Sequence, residues 1–178
     1  MPTPKPRKPV FAALSTDECW ALLGRNHVGR LAFFNHGVVD IEPVHYVAAL
    51  GAWVFVRSAE GTKMEVFSGH PYVAFEVDEI DAMFDWRSVV AHGTVYLMSE
   101  HAVRVDRIAF ERALRALRSF IPATLAQDDP TPFRRRVYGI HVDRVTGRVA
   151  EQQGPVSGRR PLKVPPFSPR RRRISDGS

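Results

Sequence analysis

One stretch constrains this chain more than any other: Glu42 to Lys63, EPVHYVAALGAWVFVRSAEGTK. Apolar, β-branched and aromatic residues lie on either side of Leu50-Gly51-Ala52, which predicts two strands joined by a tight turn. The second strand runs into a polar loop that collects Arg57, Ser58, Thr62 and Lys63 around Gly61. Two cations and two hydroxyls beside a glycine predict a phosphate cradle. Arg clamps phosphate oxygens, Lys adds a point charge and the hydroxyls donate hydrogen bonds. Gly61 is expected to supply a backbone turn that other residues resist. The same composition also describes a solvated loop between a strand and a helix, and both readings stand at this point.

The flanking sequence continues the strand pattern. Strands are predicted over 28–34, 38–49, 52–57, 72–77, 86–98 and 137–144, with Asn35-His36-Gly37 as a turn and 78–81 as an acidic connection. In the second of these, Val39, Ile41, Pro43, His45 and Val47 share one face and Val44 and Tyr46 the other. Pro43 lacks an N–H and therefore predicts an edge or a bulge, and Gly93 inside the fifth strand predicts a bend. Ser15 and Glu18 form a capping-box pattern that opens a helix ending near Gly24. A short helix is predicted over 63–68. A longer one over 101–120 carries Phe110, Leu114, Leu117 and Ile121 on one stripe. Short connections favour antiparallel pairing, and the regular strand–helix alternation of a parallel sheet is missing. The expected architecture is mainly β, an antiparallel β-barrel flanked by helices.

At 178 residues the chain suffices for one domain with a real core. Three segments are expected: a disordered basic N-terminal tail (1–11), a folded domain (12–153) and a disordered Pro/Arg-rich C-terminal tail (154–178). The net charge of +6 resides in the tails, which hold ten of the 25 basic residues; the rest of the chain has 15 basic and 18 acidic residues. This argues against a nucleic-acid-binding fold and leaves only weak contact through the tails. No apolar run approaches the ~20 residues that span a bilayer, so no membrane association is expected. Cys19 is the only cysteine, which excludes an internal disulfide and suits a reducing cytoplasm.

Several chemistries lack their motifs. Val56 stands where a P-loop needs its first Gly, and neither G-x-S-x-G nor H-E-x-x-H occurs. The seven histidines show no metal-ligand spacing. His45, on the strand that feeds the hairpin, is the one catalytic nomination. It is either a structural histidine bonded to neighbouring backbone or a polar contact to a ligand.

Four segments in order carry a resemblance: PVHY (43–46), VFVRSAEGTK (54–63), W-x-S-V-x-x-x-G (86–93) and VTGR (145–148). Together they resemble the pyridoxamine 5′-phosphate oxidase-like FMN-binding split-barrel family, its small nitroimidazole-resistance-type members above all. The resemblance spans about residues 12 to 150. It implies a six-stranded antiparallel split β-barrel and a homodimer with two FMN sites at its interface. By position it implies that Arg57, Ser58, Thr62 and Lys63 hold the phosphate, and that Val44 and His45 line the isoalloxazine ring. Trp86, Ser88 and Val89 would reach the flavin, often from the partner subunit. No match to the substrate-binding Arg/His segment of the authentic oxidase is present, which sets vitamin B6 oxidation aside. The implied activity is that of a flavin-dependent oxidoreductase passing a hydride or electrons between a reduced nicotinamide or other small donor and a small organic acceptor. The alternatives are a reductase using a deazaflavin coenzyme and a non-catalytic flavin-binding or sensing module.

Overall fold

A computed structural model describes residues 8–49, 52–99 and 104–152. The elements in chain order are β1 (Pro9–Leu14), α1 (Thr16–Arg25), β2 (Val28–Asn35), β3 (Val38–Ala49), β4 (Trp53–Ser58), α2 (Thr62–Gly69), β5 (Tyr72–Ala82), β6 (Asp85–Met98), α3 (Arg104–Phe120) and β7 (Arg136–Gln152). All strand pairs are antiparallel, in the order β1-β7-β4-β3-β2-β5-β6. A further β6–β7 ladder closes six of them into a ring. The six-stranded antiparallel split barrel is therefore present, with β1 appended as a seventh strand.

Most predicted elements appear within a few residues of their expected bounds. The Ser15–Glu18 capping box forms: Glu18 N–H donates to Ser15 Oγ at 3.3 Å, and Ser15 N–H donates to Glu18 Oε2 at 2.8 Å. His36 and Gly37 make the β2–β3 turn, both with positive φ (46° and 92°), which matches the twist of a two-residue hairpin. Pro43 lies on the stretch of β3 that pairs with β2 alone, so its missing N–H breaks no ladder. The register shifts between His92 and Gly93, where a Cβ would meet the His141 carbonyl at 2.1 Å. Only glycine permits that approach.

Three expectations need correction. The stretch 1–11 was expected to be disordered, but β1 begins at Pro9 and pairs with β7 from Pro9↔Gln152 to Leu14↔Gly147. The acidic segment 78–81 is the continuation of β5, not a connection, because Asp78 and Glu79 pair across to Ser88 and Arg87. VTGR (145–148) is not a terminus: β7 runs on to Gln152, with β6 on one side and β1 on the other. The predicted tail 154–178, residues 1–7, Leu50-Gly51 of the hairpin turn and the helix start at 101–103 lie outside the described residues.

Two cores result. Inside the ring, Leu31, Val44, Tyr46, Val54, Val56, Phe75, Val89 and Ile140 are buried together. α1 closes the ring with Cys19, Leu22 and Leu23, and Tyr46 Oη donates to the Leu23 carbonyl at 2.8 Å. α2 adds Val66 and Phe67, the latter edge-on to Phe33. Outside the ring, α3 covers β3, β4 and β7, and Phe110, Ala113 and Leu117 pack on Val47, Phe55 and Val137. Burial of an apolar side chain contributes roughly 1.5–3 kcal/mol, so this outer layer is a substantial part of the fold.

Among the described residues, the outer faces of β2 and the first half of β3 have no such cover. Val28, Phe34, Val39 and Ile41 are 44–66% exposed there, and Tyr72 at the start of β5 is 77% exposed.

Candidate functional site

Strand periodicity sorts the expected residues. Val44 and Val89 face the interior core at 5% and 0% exposure. The flavin contacts implied for them can involve only their backbone, because successive side chains leave opposite faces of a strand. His45 is exposed on the outer face of β3. Arg57 also leaves the outer face of β4, beneath the α3–β7 connection (121–135), and Ser58 ends that strand, buried. Gly61 follows, and α2 opens at Thr62, which places Thr62 and Lys63 in its first turn.

The glycine does not act as expected. Its φ of 166° is ordinary extended backbone, and an added Cβ would meet nothing within 4 Å. What the loop does supply is a helix start with no side-chain cap. The first amides of a helix lack intrahelical partners and favour an anion there.

Arg57 is not the free clamp that its sequence position suggests. Its side chain is 5% exposed, and its Nη2 donates to Asp129 Oδ2 at 2.5 Å. Nη1 donates to Asp129 Oδ1 at 3.3 Å, and Nε and Nη2 donate to the Arg134 carbonyl at 3.1 and 2.8 Å. Asp129 also accepts from the Leu125 and Thr131 amides at 2.7 and 2.9 Å. Burial alone would raise the Asp129 carboxyl, but Arg57 and those two amides overcome it and hold it down to about 2. The pair fastens the α3–β7 connection to the barrel. Asp129 itself was missed in the sequence, where Asp128-Asp129-Pro130 reads only as a loop.

A cavity of about 120 Å³ lies under this connection. His45, Val47 and Arg57 line it from the sheet, Leu117, Phe120 and Ile121 from the end of α3. Phe120 is held by stacking on His27, with ring centroids 3.9 Å apart.

Trp86 and Ser88 stand elsewhere, half-buried on the outer face of β6. Ser88 Oγ donates to Glu76 Oε1 at 3.0 Å, and Arg30 donates to Glu76 and Asp78 at 2.9 and 3.0 Å. Trp86 approaches Phe11 of β1 at 6.2 Å. The register runs Pro43–Arg30–Glu76–Val90 straight across β3, β2, β5 and β6. Three strand spacings, roughly 14 Å along the sheet, therefore separate the His45 edge from the Ser88 edge. Within one chain the two groups do not meet.

The pyridoxamine 5′-phosphate oxidase family model matches residues 15–149, and the chain belongs to that family. No curated protein matches it. Solved structures do. An FAD-binding protein from Mesorhizobium loti is 25% identical with a TM-score of 0.63, covering 81% of this chain and 99% of its own. The FAD binding protein from Mycobacterium smegmatis is 24% identical (TM-score 0.56; 78% and 99% covered). A Bacteroides thetaiotaomicron protein named for 5-nitroimidazole antibiotic resistance shares the fold at 14% identity (TM-score 0.56; 82% and 91% covered).

Proposed function

We propose that this chain binds a flavin mononucleotide between two copies of itself and serves as a flavin-dependent oxidoreductase. The observation that carries this reading is the separation of the two site groups at opposite edges of a sheet face that, among the described residues, leaves Val28, Val39 and Ile41 exposed beside the Arg30–Glu76–Asp78 ion pairs. A second copy laid on that face covers Val28, Val39 and Ile41 and brings its own Trp86 and Ser88 toward the first copy's His45. An apolar face of this kind is costly on a monomer.

The residues present fit the group. Ser58, Lys63 and the uncapped start of α2 lie within one short connection and suit a phosphate dianion. His45 and the β3 backbone present polar atoms on the outer face, where a ring system would lie. Arg57 contributes by holding the neighbouring connection in place. When bound, the flavin supplies hydride and electron transfer, and the protein supplies anchoring, orientation and exclusion of water. A reduced nicotinamide is the proposed donor and a small organic molecule the acceptor.

FAD is the second reading, favoured by the relatives named as binding it. The test is the absorption spectrum and mass of the small molecule released from the purified protein, followed by anaerobic titration with NADH and NADPH. Bleaching of the flavin band with release of FMN is the expected result. Purified protein that neither carries nor takes up any flavin overturns the reading.

A further inference from the structure

We propose that the cavity beneath the α3–β7 connection is a binding site for a small apolar carboxylate, an aromatic or branched aliphatic acid. Its apolar part would lie against Val47, Leu117, Phe120 and Ile121, and its carboxylate at Arg134. Size supports the first half. A cavity of about 120 Å³ approaches the ~150 Å³ at which apolar cavities take up benzene. Because this one opens at its rim, the polar end of a ligand need not be enclosed.

The polar lining decides the second half. Most of it is already engaged within the protein. Arg57 is neutralised by Asp129, Thr124 Oγ1 donates to the Ile121 carbonyl at 2.7 Å, and Thr131 Oγ1 donates to Asp129 at 3.4 Å. Arg134 differs. Its backbone carbonyl holds Arg57, but its guanidinium has no carboxylate partner among the described residues and lies 5.8 Å from the Phe133 ring. Arg134 thus brings one cation without a carboxylate partner among the described residues to an otherwise apolar lining, a combination that selects an amphipathic anion over a neutral hydrocarbon or a sugar. His45 lines the same cavity. As the substrate class of the oxidoreductase, this assignment rests on the flavin reading; as a ligand site it does not.

The test is calorimetric titration of benzoate into the full chain, with and without added FMN. The expected result is saturable binding at one site per chain, at least about tenfold weaker in Arg134→Gln, since the charge-assisted hydrogen bond to the carboxylate is lost. Arg134→Gln keeps the carbonyl that Arg57 needs, so the fold is retained. Benzyl alcohol should bind weakly and equally to both proteins. Ile121→Trp fills the cavity and should abolish benzoate binding while leaving FMN binding intact. Absence of saturable benzoate binding, or undiminished binding in Arg134→Gln, overturns the proposal. FMN binding without benzoate binding removes this proposal alone, and benzoate binding without FMN binding removes only the flavin reading.

Discussion

The two halves of β3 present the same kind of surface and meet different fates. Toward its end, Val47 is sealed with Phe55 beneath α3, and the buried Arg57–Asp129 pair fastens the following connection. Toward its start, Val39 and Ile41 stand in solvent on the same face. The covered half behaves as an interior and carries a buried charge pair that fixes a loop. The open half has apolar residues with no cover among the described residues, as the proposed self-association would require.

The largest effect should come from the covered half. Asp129→Asn leaves the Arg57 cation buried without its counter-charge, and such changes cost about 3–5 kcal/mol. Chemical denaturation should show that loss, and Arg57→Met combined with Asp129→Leu should not restore the parent's stability, because the Leu125 and Thr131 amides and the Arg134 carbonyl would lose their partners. If Asp129→Asn unfolds at the parent's midpoint, the pair does not fasten the connection. On the open half, Ile41→Asp should weaken self-association by about a hundredfold, near 2.7 kcal/mol, and change monomer stability little. Sedimentation equilibrium measures it; a parent that is monomeric at all concentrations ends the comparison.

In the first turn of α2, Lys63→Ala should weaken FMN by about ten- to a hundredfold and leave riboflavin, which has no phosphate, unaffected. Equal affinity of the variant and parent for FMN would move the phosphate elsewhere. A smaller effect follows from pH. Asp129 is held below its usual 3.8, so its contribution is fully present above 3.8 and is lost as pH falls through about 2. Thermal melts between pH 5 and 2 should show a steeper acid decline in the parent than in Asp129→Asn. Deleting residues 159–178 should change stability by less than about 0.5 kcal/mol, because that stretch has no apolar periodicity to pack.

The barrel was legible where alternation is strong. Strands β2 to β6, the capping box of α1 and the stripe of α3 all announce themselves through period and caps. β1 was not, because PVFAAL follows a Pro/Lys-rich run and has no inward-facing alternation; as an appended strand it needs none. The far half of β7 was hidden by Gly147. That glycine marks no turn but a close approach, since a Cβ there would lie 2.7 Å from Cys19 Sγ of α1. The site was legible as a set of residues and illegible as partnerships. Arg57 reads as a phosphate clamp because its partner, Asp129, is 72 positions away with no periodic signal to join them. The cavity escaped for the same reason: Val47, Leu117 and Arg134 meet only through the tertiary fold.

The position of β7 has a consequence for how the chain folds. It is the last strand among the described residues and the seam of the sheet, laddered to β1, β4 and β6. Until residues 136–152 have been synthesised, three strand edges remain open and the ring cannot close. Contacts of such long sequence separation fold slowly, in milliseconds to seconds rather than microseconds. A nascent chain stalled before β7 would therefore expose β-edges ready to pair with another chain, and the hazard ends only when the final strand docks.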